Sequence, residues 1–172
     1  QIIMSPIFKI IYFTLISSIA VSNASAGLND LIPSKLENAK GEEVSRDKLK
    51  GKIVGIYFSA KWCPPCRGFT PSLVNFRDAN QEDFEVVFVS SDRNAKAQKD
   101  YMNEYKMQWV TVEHNSAAAN KLKKKFKVRG IPSLVIVGPD GKTITTDGRG
   151  VVSRNPKGAI ASWKKKTGNS KG

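Results

Sequence analysis

Cysteine and histidine are nearly absent: the 172 residues hold two Cys and one His. A framework stapled by several disulfides is excluded by that count. So is an ordinary tetrahedral zinc site, which needs about four ligands, because Cys63, Cys66 and His114 are all the Cys and His there are. Long apolar runs are missing as well. The longest, Ile10 to Val21, has 12 residues, against the roughly 17–25 that a membrane-spanning helix requires. No glycine-rich dinucleotide fingerprint occurs, so NADPH is expected to act through a partner, and no bound cofactor is expected. Repeats and low-complexity linkers are also lacking, which favours one domain. Acidic residues are the scarce charge, with 15 Asp and Glu against 28 Lys and Arg, a formal net charge of +13.

The first 26 residues read differently from the rest, with Lys9 as their only charge. A charged start, a short apolar core and the small-residue ending Ala24-Ser25-Ala26 together match a secretory signal, with cleavage expected before Gly27. Met4 is the expected initiator. The expected organisation is therefore a signal peptide over 1–26 and one domain over 27–172, located in the secretory lumen or outside the cell.

What is present is concentrated in Trp62-Cys63-Pro64-Pro65-Cys66-Arg67. An apolar run, Ile53 to Phe58, leads into it as a buried strand, and a helix-period segment follows. Strand, Cys-x-x-Cys and helix in that order are the layout of a dithiol redox centre. Two thiols at this spacing close a disulfide and reopen it. The reactive form is the thiolate, which a helix N-terminus favours through its unpaired N–H groups, with Lys61 or Arg67 adding positive charge. Pro64 and Pro65 suit a first helical turn, where a missing N–H costs nothing. A purely structural disulfide is the weaker reading, because closing so short a loop removes little chain entropy.

Along the rest of the chain, the expected elements are an edge segment at Ser34–Ala39, a turn over 40–43 and a short helix over Arg46–Lys50 capped by Ser45. Strand Lys52–Ser59 and a helix from Pro64 to Asn80 follow. Phe69, Leu73 and Phe76 form the core stripe of that helix, and Pro71 marks an expected kink. Then come strand Phe84–Ser90, helix Asn94–Lys106, a short extended piece at Trp109–Val112 and helix Ser116–Phe126. Strand Ser133–Val137 forms a hairpin with Lys142–Thr146 across Gly138-Pro139-Asp140-Gly141, and a helix over Ala159–Lys166 closes the order. Near-continuous apolar strands imply a sheet covered on both faces. Pro132 stands at the entrance of one such strand, where a proline supplies no ladder donor and needs a special reason.

Tyr57 to Pro71, Val87 to Arg93, Met107-Gln108-Trp109 and Gly130-Ile131-Pro132 resemble, in that order, the segments of tryparedoxins and nucleoredoxins in the thioredoxin superfamily. The resemblance implies an α/β fold, a thioredoxin-like three-layer α/β/α sandwich with a central mixed β-sheet. It implies a monomeric thiol–disulfide oxidoreductase in which Cys63 is the exposed attacking nucleophile and Cys66 the buried resolving thiol. Trp62 is then a flanking shield, and Pro132 a cis-proline beside the sulfurs that leaves the Ile131 backbone free to pair with an extended substrate. Pro64, Pro65 and Arg67 support the site. One departure stands out. Thioredoxin proper carries a buried carboxylate on the strand before the motif, whereas this chain has Tyr57, which leaves the general base unassigned.

The expected partners are a disulfide-containing protein substrate and an external thiol reductant of the glutathione or thioredoxin type. The basic run from Lys121 to Arg129 reads as a solvated helix face, with no specific nucleic-acid binding. A rival reading is a secreted basic module that binds polyanions or proteins and keeps the fold without redox turnover. Expression with the native N-terminus in eukaryotic cells tests the leader: N-terminal sequencing is expected to find a medium form beginning at Gly27, whereas full-length protein in the cytosol would reject secretion.

Overall fold

The computed structural model describes residues 24–168. Most of the expected signal peptide therefore lies outside the described residues. The expected cleavage junction, Ala26–Gly27, falls inside a helix, α1 (Ala24–Leu31), whose Leu28 and Leu31 are buried.

Seven strands form one sheet in the order β2-β1-β5-β4-β3-β6-β7. Its centre is β3 (Ile53–Ser59) beside β4 (Phe84–Ser90), parallel and in register from Ile53 opposite Phe84 to Ser59 opposite Ser90. On the other side of β3 lies antiparallel β6 (Ser133–Val137), with Phe58 opposite Ser133. The edges are β1 (Lys35–Glu37), β2 (Glu43–Ser45) and β5 (Val110–Thr111) on one side, and β7 (Thr143–Thr145) on the other. The sheet is thus mixed, as expected.

Every residue of β3 and β4 is buried, because side chains alternate across a sheet that is covered twice. Tyr57, Phe84, Val86 and Phe88 point to one face. There they meet Phe69, Leu73 and Phe76 of α2 (Pro64–Ala79), Tyr101 and Met102 of α3 (Ala95–Glu104), and Trp163 of α6 (Pro156–Gly168). Val54, Ile56, Phe58, Val87 and Val89 point to the other face, against α1 and Leu122 of α4 (Ala117–Lys125). Gly55 faces the crowded side, where an added Cβ would lie 2.7 Å from the Phe84 ring. At the far end of α2, Arg77 forks onto the buried carboxylate of Glu85 in β4, at 2.9 and 2.7 Å. This two-point pairing fixes the rotation of α2 against the sheet, and Glu85 pulls the guanidinium pKa upward, chiefly by hydrogen bonding.

Several local features differ from expectation. α2, with Pro71 inside it, ends at Ala79, one residue before the expected Asn80. β2 occupies part of the expected turn. Between β7 and α6 lies α5 (Gly148–Arg154), capped by the Asp147 carboxylate accepting from the Gly150 N–H at 3.2 Å. α6 itself begins three residues before the expected Ala159, at Pro156, where a proline suits the first helical position.

Candidate active site

The parallel register of β3 and β4 and the entrance of β6 bring three loops to one end of the sheet: 60–63, 90–92 and 130–132. Open α/β sheets characteristically carry their chemistry beyond the carboxyl ends of the parallel strands. Cys63 and Cys66 are joined there as a disulfide. Cys63 is the N-cap of α2 in extended backbone, with Pro64 and Pro65 in the first turn. Two prolines in succession remove two of the helix's orphan donors, so the Cys66 N–H is the first one available. It is shared between the Cys63 carbonyl at 3.1 Å and the Cys63 sulfur at 3.3 Å. The helix therefore begins with its positive end aimed at one sulfur, the arrangement that stabilises a thiolate there on reduction.

The two sulfurs are unequal. Cys66 is fully buried and Cys63 retains 5% exposure. The expectation of an openly exposed Cys63 is corrected to this extent: Ala60 and Ile131 pack against the pair, and the Cys63 sulfur lies 3.7 Å from the Ile131 carbonyl oxygen. The Ile131–Pro132 peptide is cis, and Pro132 is buried. Trp62, beside the pair, is 55% exposed and is the one large exposed hydrophobic among the described residues.

Trp62 is held from behind. Its indole N–H donates to the Ser91 carbonyl at 2.9 Å. The neighbouring carbonyls in the same loop are engaged too: Lys123 donates to Ser90 at 3.1 Å and His114 Nε2 to Asp92 at 2.9 Å. The buried Asp92 carboxylate accepts from the Lys61 N–H and the Ser90 hydroxyl, each at 2.8 Å. One loop thus fixes the segment that carries Trp62. Neither Asp92 nor His114 stands out in the sequence as part of the site; a Ser-x-Asp after a buried strand is the signal, since the pair closes a local turn.

The two cations expected to favour the thiolate each have a partner. The Lys61 ammonium pairs with Glu104 at 2.6 Å, which raises its pKa. The Arg67 guanidinium donates to the Lys61 carbonyl at 2.8 Å. Among the described residues no three of His, Cys, Asp and Glu gather into a cation site.

Beneath Cys66 lies a chain of hydroxyls. Thr70 donates to the Cys66 carbonyl at 2.9 Å and meets the Tyr57 hydroxyl at 2.8 Å and the Tyr101 hydroxyl at 2.6 Å. Ser59 meets Tyr101 at 3.2 Å. One assignment satisfies all four groups: Ser59 donates to Tyr101, both tyrosines donate to Thr70, and Thr70 donates to the carbonyl. Burial, then repulsion from Tyr101, pushes the Tyr57 pKa far above its ordinary value near 10. Tyr57 therefore remains a neutral donor at physiological pH and takes no proton from Cys66; its position in place of a carboxylate is structural.

A family model described as "Thioredoxin-like" matches residues 51–143. Tryparedoxin from Trypanosoma brucei brucei is 41% identical over 129 residues, covering 73% of this chain and 88% of its own. Mouse nucleoredoxin is 38% identical over 125 residues, covering 70% of this chain and 28% of its own. The chain spans only a fifth to under a third of the nucleoredoxins that it matches. Among solved structures, a tryparedoxin from Trypanosoma brucei superposes with a TM-score of 0.71 at 39% identity, covering 80% of this chain and 97% of that one. None of these relatives supports the rival reading of a binding module without redox turnover.

Tyr57→Phe tests the hydroxyl chain. Thr70 keeps two other partners, so the loss at neutral pH is expected to be about 1 kcal/mol by urea denaturation. In the unfolded chain Tyr57 ionises near pH 10, while the folded site retains its proton. Its contribution is therefore complete below about pH 10 and falls as pH rises above that value. The variant is expected to lose less stability than the parent between neutral and strongly alkaline pH; parallel curves would show that Tyr57 is not a buried neutral donor.

Proposed function

The chain belongs to the thioredoxin-like family, alongside the tryparedoxins and nucleoredoxins, and from that premise we propose that it is a monomeric thiol–disulfide oxidoreductase acting on protein disulfides. The observation that carries this reading is the Cys63–Cys66 pair at the head of α2, with the Cys66 N–H aimed at the Cys63 sulfur.

In the reduced enzyme, the Cys63 thiolate attacks one sulfur of the substrate disulfide. A Cys63–substrate disulfide forms and the other substrate sulfur leaves as a thiolate, taking up a proton. Cys66, deprotonated in its turn, attacks the Cys63 sulfur and expels the second substrate thiol, which leaves the Cys63–Cys66 disulfide. Two electrons have passed from the dithiol to the substrate. An external thiol reductant of the glutathione or thioredoxin type then restores the dithiol by the same exchange in reverse. Trp62 shields the flank, Pro64, Pro65 and Arg67 shape the helix head, and Ile131 and Pro132 form the wall along which an extended substrate lies. The setting we propose is the secretory lumen or the extracellular space, on the strength of the apolar run Ile10–Val21 and the Ala24-Ser25-Ala26 ending.

Insulin reduction by the protein in dithiothreitol tests the activity, and trapping tests the roles. Cys66→Ser is expected to accumulate mixed disulfides with substrate, because nothing remains to resolve them. Cys63→Ser is expected to trap none and to reduce insulin at the background rate. Trapping by Cys63→Ser alone would reverse the assignment, and insulin reduction at the uncatalysed rate by the parent protein would remove the activity.

A further inference from the structure

From His114 to Pro139 the chain contains no acidic residue, while Lys121, Lys123, Lys124, Lys125, Lys127 and Arg129 all fall in that span. Two of the six are used internally. Lys121 donates to the Asp30 carbonyl, and Lys123, half-buried, turns inward to the Ser90 carbonyl beside Trp62. Burial lowers the Lys123 pKa. The other four, Lys124, Lys125, Lys127 and Arg129, are exposed. Among the described residues, the side chains of these four form no hydrogen bond or ion pair.

Two of these four cations are tied to the site through the backbone. Arg129 is two residues from Ile131, whose carbonyl oxygen lies 3.7 Å from the Cys63 sulfur. Two residues of extended chain cover at most about 7 Å and four about 14 Å, so Arg129 and Lys127 stand within that reach of Ile131. A substrate segment paired along Ile131 advances about 3.3 Å per residue. Side chains roughly two to five positions from its reacting cysteine therefore pass this ridge.

Lys127 is notable for its backbone. It has φ 49° and follows the C-cap of α4, where the Val128 N–H bonds the Lys123 carbonyl at 3.0 Å and the Lys127 N–H the Lys124 carbonyl at 3.1 Å. That double closure usually takes glycine at the left-handed position; a lysine there is costlier, by roughly 1 kcal/mol.

We propose that Lys124, Lys125, Lys127 and Arg129 form a docking ridge for an acidic segment flanking the disulfide of the protein substrate. This rests on the oxidoreductase reading and names the chemistry of its substrate. Four unneutralised cations, two of them within four residues of Ile131, raise the encounter rate of an acidic segment and repel a basic one, an effect that weakens as salt screens it.

The test compares two disulfide-linked peptide substrates that differ only in carrying Asp or Lys two to five residues from the reacting cysteine. The parent protein is expected to favour the Asp peptide in kcat/KM by about 10-fold at low ionic strength, and less as salt rises. Lys127→Glu with Arg129→Glu is expected to reverse the preference. Lys127→Gly removes one charge where glycine fits the backbone better, so its Tm is expected to hold or rise while the preference falls. The same reversal at exposed Lys157 of α6 is the control, expected to leave the preference unchanged. Equal turnover of the two peptides by the parent, or a preference that survives the double reversal, would overturn the proposal. So would a ridge variant that loses heparin affinity alone, which would mark the ridge as a general polyanion surface. Reduction of the neutral disulfide of 2-mercaptoethanol separates the two readings: its absence in the parent is a failure of the oxidoreductase, and its presence without peptide preference a failure of the ridge.

Discussion

The site depends on one hydrogen bond at the junction of a strand and a helix: the Cys66 N–H to the Cys63 sulfur. For that donor to reach the sulfur, α2 has to begin at Pro64, and β3 has to end at Ser59 with Ala60 packed against the pair. The two prolines remove the competing donors. Arg77 and Glu85 fix the opposite end of α2, and the stripe of Phe69, Leu73 and Phe76 fixes its depth.

Around this junction the protein uses its polar groups for placement. The loop from Ser90 to Asp92 places Trp62, because its carbonyls accept from Lys123, Trp62 and His114 in turn. The hydroxyls of Tyr57, Thr70, Tyr101 and Ser59 place the Cys66 carbonyl. Tyr57, held neutral by burial, supplies no base at neutral pH, and the two cysteines differ in burial and in their place at the helix terminus.

Legibility in the sequence followed burial. The bounds of β4 and β6 coincide with their apolar runs because both strands are covered on two faces, leaving no ambiguity of period. The Cys-x-x-Cys pair, the prolines after Cys63 and the unusual Pro132 were readable for the same reason: each breaks an otherwise apolar context. The weakly patterned elements were not readable. β2 is three residues long with Val44 half-buried between exposed neighbours, and α5 contains two glycines, which disguise a helix despite the Asp147 cap. The hydroxyl chain joins residues up to 42 positions apart, a pairing that no local spacing reveals. The engagement of Lys61 by Glu104 is equally non-local.

The central claim is that Cys63 and Cys66 form a reversible two-electron couple, a catalytic pair and not a staple. A redox titration measures this directly: the protein is equilibrated across graded ratios of reduced to oxidised dithiothreitol and glutathione, then quenched with a mass-adding thiol reagent. The account predicts a single transition between species carrying two labels and none, with the fold intact by circular dichroism in both. A disulfide that is reduced only together with unfolding, or a pair that never re-forms, would contradict it.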